Sequence, residues 1–348
     1  MKKVLHISTI CVLGLCLLLS ACSEPHYHWE IVFDEMPEVS FRGIAAVDES
    51  TCWVSGSAGT ILRTTDGGES WQHLMVPGSD SLDFRDVEVF GPDTAIAMSI
   101  GTGSESRLYR TTDGGQNWEM VHQNRYEQGF YDAIAFWDNG FGVLQGDPID
   151  GQLFILVTED SGRTWQEIPR KQMPEVEDGE YAFAASGTQL TIRDGGHAWI
   201  GTGGVDARVL RSEDYGQNWS STPTPIIQGE ASTGIFSLAF ADKSFGIAVG
   251  GDYTKEDEGT RNVIYSENGG ASWDLLHGID LDFRSAVRFT DGIFITVGPS
   301  GSEYTTDWGQ TWQAIQGPGF HTLSIGQGGI NAVWAAGRDG RVGKLVVE

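Results

Sequence analysis

Residues 63–72 read RTTDGGESWQ and residues 110–119 read RTTDGGQNWE. Looser copies follow as TEDSGRTWQ at 158–166, SEDYGQNWS at 212–220, SENGGASWD at 266–274 and TTDWGQTWQ at 305–313. This Ser/Thr-x-Asp-x-Gly-x-x-Trp phrase constrains the fold more than any other feature of the chain. Its third position falls at Asp66, Asp113, Asp160, Asp214, Asn268 and Asp307, at spacings of 47, 47, 54, 54 and 39 residues. One blade of a β-propeller takes roughly 40–50 residues.

A second mark recurs in step with the phrase. An aromatic opens an apolar stretch at Phe41, Phe84, Phe130, Phe183, Phe236, Phe283 and Phe320. Between these marks the chain reads as short runs of β-branched and aromatic residues bounded by Gly, Asp and Ser, as in FRGIAAV, TCWVSG, GTILRTT and SWQHLMV. No long segment of helical period follows residue 22. Each unit therefore reads as four antiparallel strands, one blade. There are seven openings for six phrases, and the last unit, FHTLSIG to RVGKLVVE, holds three strands without a phrase. The segment HWEIVF at 28–33 supplies the missing one, with Trp29 matching the Trp after each phrase. The expected fold is all-β: a seven-bladed β-propeller of four-stranded antiparallel blades, the last closed by the N-terminal strand so that no edge is left open.

The phrase sits where the chain reverses between the third and fourth strands. Asp and Asn accept hydrogen bonds from nearby backbone N–H groups and brace a turn. Gly supplies positive φ, and the Trp then packs between sheets. The six Asp/Asn positions are thus expected to be structural rather than catalytic.

The N-terminus belongs to another process. Lys2 and Lys3, the apolar run from Val4 to Leu19 and the ending Leu-Ser-Ala-Cys read as a secretory signal over 1–21. The ending resembles a bacterial lipobox, which implies a lipidated Cys22 in a short tether at 22–26, a propeller over 27–348, and a membrane-anchored protein of the bacterial cell envelope, periplasmic or surface-exposed. Of four Cys, Cys11 and Cys16 leave with the signal and Cys22 takes the lipid. Cys52 alone remains, read as a small buried hydrophobe, so neither an intramolecular disulfide nor a thiolate zinc site is expected. The formal charge is −26, from 22 Lys and Arg against 48 Asp and Glu. So acidic a surface repels phosphate backbones, and nucleic acid is a poor partner. No metal site and no cofactor is expected: the His are scattered, GTGG at 201–204 opens no helix, and no G-x-S-x-G is present.

Function is then sought on the face away from the phrase, where strand 2–3 turns and blade connections lie. The longest turns, at 143–152, 201–209 and 250–261, place Asp147, Asp206, Arg208, Asp252 and Tyr253 over one side of the channel mouth. Opposite them, Arg42, Arg85 and Arg284 follow opening aromatics. They have two readings: a cationic cluster for a carboxylate or acidic peptide, or Arg side chains satisfying carbonyls and acids in a polar channel.

The phrase matches the Asp-box, or bacterial neuraminidase repeat, of sialidases and other propellers, where it is a structural turn. With seven blades counted, FRGIAAVDESTCWVSGSAGTILRTTDGGESW resembles the photosystem II stability/assembly-factor-like propellers over roughly residues 27–348. That resemblance implies a non-catalytic binding scaffold for a protein or glycan partner, in some members assisting assembly of a membrane complex through an Arg patch, with Arg42, Arg85 and Arg284 as counterparts. The alternative is a sialidase-like or other exo-acting glycoside hydrolase. Phe41-Arg42-Gly43-Ile44 departs from the Phe/Tyr-Arg-Ile-Pro motif, Arg208 and Arg284 stand for the other Arg roles and Tyr253 for the nucleophile, with no Glu partner identified.

Anchoring has a direct check. Cys22→Ala is expected to move the protein from the membrane to the soluble fraction on ultracentrifugation of lysed cells, and unchanged fractionation excludes lipidation at that thiol.

Overall fold

The computed structural model describes residues 25–348; the signal segment and Cys22 lie outside the described residues. Seven antiparallel sheets carry the chain around a ring, and the described residues include only three short 3-10 turns as helical structure. The first blade pairs Phe41–Ala46, Cys52–Gly56, Ile61–Thr64 and Gln72–Leu74 in simple sequence order. The seventh takes Thr322–Ile325, Val333–Ala336 and Val342–Val347 from the end of the chain and Tyr27–Phe33 from its beginning. Trp29 lies opposite Leu345 in this closing pair. Its ring sits 5.0 Å from that of Phe320, and its backbone N–H donates to the Gln316 carbonyl of the sixth blade at 2.8 Å.

Inner strands are largely buried on both faces because each blade is covered by its two neighbours. Thr233–Phe240 is buried at every position. The core is a set of layers between blades: Phe41, Val54 and Leu62 of the first blade meet Trp334, Ala336 and Val342 of the seventh. Cys52 lies fully buried in the first of these layers, and burial pushes its thiol up.

The phrase is a turn with one repeated hydrogen-bond plan. Thr64 Oγ1 donates to Asp66 Oδ1 at 2.8 Å and accepts from the Gly68 N–H at 3.0 Å. The Ser70 N–H reaches Asp66 Oδ1 at 2.9 Å and its hydroxyl reaches Oδ2 at 2.5 Å. The Asp thus reaches four residues on, and the same bond recurs around Asp113, Asp160, Asp214, Asn268 and Asp307. Bonds from the Ser70 hydroxyl and amide, then from Thr64, hold the Asp66 carboxyl down at about 2.

Two features depart from the sequence reading. The fourth blade opens at Leu190–Arg193, not at Phe183, and Glu180–Tyr181 with Gly203–Gly204 extends the fifth sheet to six strands. The stretch 143–152 is not a long loop. Gly142–Ile149 and Gln152–Thr158 run on as a hairpin with a two-residue tip, Asp150-Gly151, both at positive φ.

Truncating the closing Trp tests the ring. Trp29→Ala removes a side chain that is 5% exposed and is expected to cost roughly 3–5 kcal/mol in denaturant unfolding, with the sheet content of the folded protein unchanged by circular dichroism.

Candidate functional site

Four first strands shift register by one residue just inside the channel mouth. The shift falls between Phe41 and Gly43, Phe84 and Asp86, Tyr131 and Ala133, and Ile235 and Ser237. The extra residue of a β-bulge is unpaired and its side chain is re-aimed. Those residues are Arg42, Arg85, Asp132 and Phe236, and all four line one cavity of ≈ 460 Å³ on the face opposite the phrases. The residue that takes the place of Phe41 is therefore Tyr131 in the third blade and Ile235 in the fifth, one position away from the sequence reading.

The floor of this cavity is the chain itself. Residues 183–189, ahead of the fourth blade, cross the channel and tie to other blades. Arg42 donates to the Ala185 carbonyl at 3.1 Å and Arg85 to the Ala184 carbonyl at 3.0 Å. Ser186 donates to the Ser285 carbonyl, the Thr188 hydroxyl to Ser237, and Thr322 to the Ser186 carbonyl. Gly187 has φ +70°, and a Cβ there would fall 2.6 Å from the Asp86 carboxylate, so only glycine lets this plug pass.

One wall is aromatic. Phe183 stacks on Phe236 at 3.9 Å between centroids, Phe283 meets Phe236 edge-on at 4.7 Å, and the half-exposed Tyr253 closes over Phe183 and Phe236 at 6.3 and 6.1 Å. Tyr181 stands against Phe183 at 5.5 Å. Across the mouth, Glu256 of the loop after Gly246–Asp252 reaches Arg338 of the seventh blade at 2.9 Å.

The charges of the cavity are divided. Arg42 forms no ion pair among the described residues. Burial and then Arg85 push its guanidinium down to about 10, which leaves it cationic at neutral pH. Arg85 spends Nε on Asp83 at 2.9 Å and one further nitrogen on Ala184. A guanidinium carries five N–H groups, so both keep donors for a ligand. His321 is held neutral, pushed down to about 2 by burial and the surrounding Arg42, Arg338, Arg85 and Arg341. At the other end stand two acids. Burial, then Asp147, raises the Asp132 carboxyl, although the Gln145 amide donates to it at 2.9 Å. Burial pushes Asp147 up to about 6.

Of the sequence candidates, Arg42, Arg85, Asp147 and Tyr253 meet in this cavity. The others do not. Arg284, 3% exposed, is turned away and clamped by both oxygens of Glu303 at 2.6 Å, with Ser300 at 2.9 Å. Arg208 is held by the fully buried Glu180 side chain at 2.5 Å, and Asp206 lies 3.7 Å from the same guanidinium. Asp252 accepts from the Thr254 amide and hydroxyl and braces its own loop. Arg208 and Arg284 are thus each held in an ion pair, with Glu180 and Glu303. Sequence reasoning passed over Asp132, Phe183, Phe236 and His321; the signal for Asp132 and Phe236 was the bulge, which follows from Arg42 by register and not by counting from an aromatic. Among the described residues no group of three or more His, Cys, Asp and Glu forms a metal site, and no helix is long and apolar enough to cross a membrane.

The family model of photosynthesis system II assembly factor YCF48 matches residues 21–126. The photosystem II assembly lipoprotein Ycf48 of Synechococcus sp. (strain CC9902) is 25% identical over 264 residues, covering 71% of this chain and 66% of that relative's length. Among solved structures, YCF48 bound to a D1 peptide superposes with a TM-score of 0.64 at 18% identity over 92% of this chain and 97% of the other. YCF48 from Cyanidioschyzon merolae gives 0.63 at 16% over 91% and 98%.

Asp147 supplies a pH test. Its carboxyl is raised, so the folded state holds the proton more tightly than the unfolded chain; the stability this brings is present below pH 3.8 and is lost as pH rises through about 6. In Asp147→Asn the amide stands permanently for the protonated acid. Its Tm is expected to gain on that of the unsubstituted protein as pH climbs through this window, read from thermal unfolding at a series of pH values.

Proposed function

We propose, because this chain is a seven-bladed Asp-box propeller similar in sequence and fold to the photosystem II stability/assembly-factor-like family, that it is a non-catalytic binding scaffold whose channel-mouth cavity holds a carboxylate-bearing, apolar segment of a membrane-protein partner. The observation that carries this reading is the free charge of Arg42 beside Arg85, facing an aromatic wall across ≈ 460 Å³. Guanidinium groups bind carboxylates in forked pairs, and desolvated aromatic rings anchor the neighbouring apolar residue. The Ycf48 relative is named an assembly lipoprotein and the YCF48 structure holds a D1 peptide, which supports a polypeptide ligand over a glycan. The lipobox-like ending at Cys22 supports a scaffold tethered at the membrane surface of the cell envelope, beside the complex it would help to assemble or stabilise.

Binding is checked by calorimetry of the full-length protein with a peptide ending in an aromatic residue and a free carboxylate. Arg42→Ala is expected to weaken it by about 10–100-fold, the worth of a hydrogen bond to a charged group. Amidation of the peptide is expected to do the same, whereas Asp206→Asn leaves affinity unchanged. Equal affinity for the acid and the amide refutes the carboxylate reading.

One observation favours a hydrolase instead: Asp132 and Asp147 share the cavity with Tyr253. Against it, Arg208 and Arg284, the other arginines a sialidase-like site needs, are tied to Glu180 and Glu303. A panel of fluorogenic sialosides and glycosides is expected to show no turnover; turnover lost in Asp147→Asn replaces the scaffold with an enzyme.

A further inference from the structure

The residue just before the Ser or Thr of each phrase lies on the third strand of its blade. It is Arg63, Arg110, Val157, Arg211, Tyr265 or Tyr304. Three of these put a guanidinium into the groove toward the next blade, where it meets the carbonyl of the residue after the phrase's Asp or Asn. Arg63 reaches the Gly114 carbonyl at 3.4 Å, Arg110 that of Ser161 at 3.1 Å, and Arg211 that of Gly269 at 3.5 Å. Arg110 also stands 6.0 Å over the Phe90 ring. From the seventh blade, Lys344 fills the groove toward the first, donating to the Glu49 carbonyl at 2.8 Å over Trp334. Among the described residues the groove between the third and fourth blades has no cation, but Tyr215 fills it, packed on Trp137 and Phe141 at 5.1 and 4.7 Å. Tyr304 packs on Tyr27 at 4.5 Å in the groove between the sixth and seventh.

The groove between the fifth and sixth blades is different. Its third-strand residue is Tyr265, and the residue after the phrase's Asp is Trp308. Strand register aligns Phe245 with Phe141 and Ala241 with Trp137. Trp308 therefore keeps one ring contact, with Phe245 at 4.8 Å, and lacks the second. It is 48% exposed at φ +63°, a conformation that a bulky side chain rarely adopts. Tyr215 shares that conformation at φ +61° but is packed beneath two rings. Beside Trp308 opens a cavity of ≈ 470 Å³, walled by Phe245 and Tyr265 and rimmed by Asp242 and Glu267. Asp242 spends one oxygen on the Ser244 and Phe245 amides. Glu267 makes no hydrogen bond or ion pair among the described residues.

Aromatic faces attract cations, and carboxylates pair with them. In three other grooves the chain itself delivers a guanidinium to the place that is open here. We propose that the groove between the fifth and sixth blades receives an arginine side chain from a partner polypeptide, its guanidinium over Trp308 and paired with Glu267. The net charge of −26 favours approach of a basic segment. This site lies on the phrase-bearing face and does not depend on the ligand of the opposite one.

The probe is acetyl-Gly-Arg-Gly-amide, titrated into the full-length protein while the Trp308 indole N–H resonance is followed, assigned by its absence in Trp308→Phe. A saturable shift with a millimolar Kd is expected, and Glu267→Gln is expected to weaken it about tenfold. Tyr265→Arg supplies the missing internal guanidinium, and is expected to abolish binding while raising Tm. The proposal is overturned if no saturable shift appears up to about 50 mM, if acetyl-Gly-Gln-Gly-amide or choline shifts the resonance equally, or if Tyr265→Arg, still folded, binds the probe unchanged.

Discussion

Pairing of Tyr27–Phe33 with Val342–Val347 is the constraint on which the rest depends. A propeller blade is covered only by its neighbours, so an open ring exposes two apolar blade faces and an unpaired edge at once. Closure joins residues more than three hundred positions apart, and the entropy of that loop is lost before any contact of the seventh blade is gained. What offsets it is concentrated at Trp29, wedged between Phe320 and the sixth blade. The same closure fixes the inner diameter of the ring, and with it the distance across which Arg42 and Arg85 reach the carbonyls of the fourth-blade plug.

The plug changes what the channel is. A propeller lined by polar first strands would hold a column of water; here residues 183–189 replace that water with a crossing chain whose carbonyls and hydroxyls satisfy five other blades. The arginines serve two demands. One nitrogen of each closes the channel and Arg85 spends a second on Asp83, and the donors that remain are held in place by the fold whether or not a ligand is there. Preorganisation of this kind lowers the ordering cost of binding. Burial also raises the carboxyls of the two acids that share the cavity.

The ring was legible because its signals are local and repeated. Each phrase contains its own brace, from Thr64 through Asp66 to Ser70, and nothing distant is needed to read it. Trp29 was legible as the stray match to a repeated Trp. The site was half legible. Arg42 and Arg85 follow aromatics in ordinary register, but Asp132 and Phe236 occupy the same bulged position one residue off the count, because Phe130 and Phe236 are not the residues that pair where Phe41 does. The partners that neutralise Arg208 and Arg284, Glu180 and Glu303, lie 28 and 19 residues away with no pattern to mark them. Ion pairing across a sheet is decided by register, which spacing alone does not encode.

Repetition makes departures from it informative. A groove that receives Arg63, Arg110 or Arg211 shows what the backbone of the next turn accepts, namely a donor at its exposed carbonyl and a cation over a ring. When the third-strand residue becomes Tyr265 and the turn residue Trp308, both changes remove filling from inside and add aromatic surface outside. Neither is a conservative drift of the repeat: Tyr265 and Trp308 stand where Val157 and Gly114 stand in other copies. The strained backbone at Trp308 has a counterpart at Tyr215, where burial under two rings offsets it. In the groove beside the fifth blade the second ring is absent among the described residues, and under the proposal a bound cation takes its place.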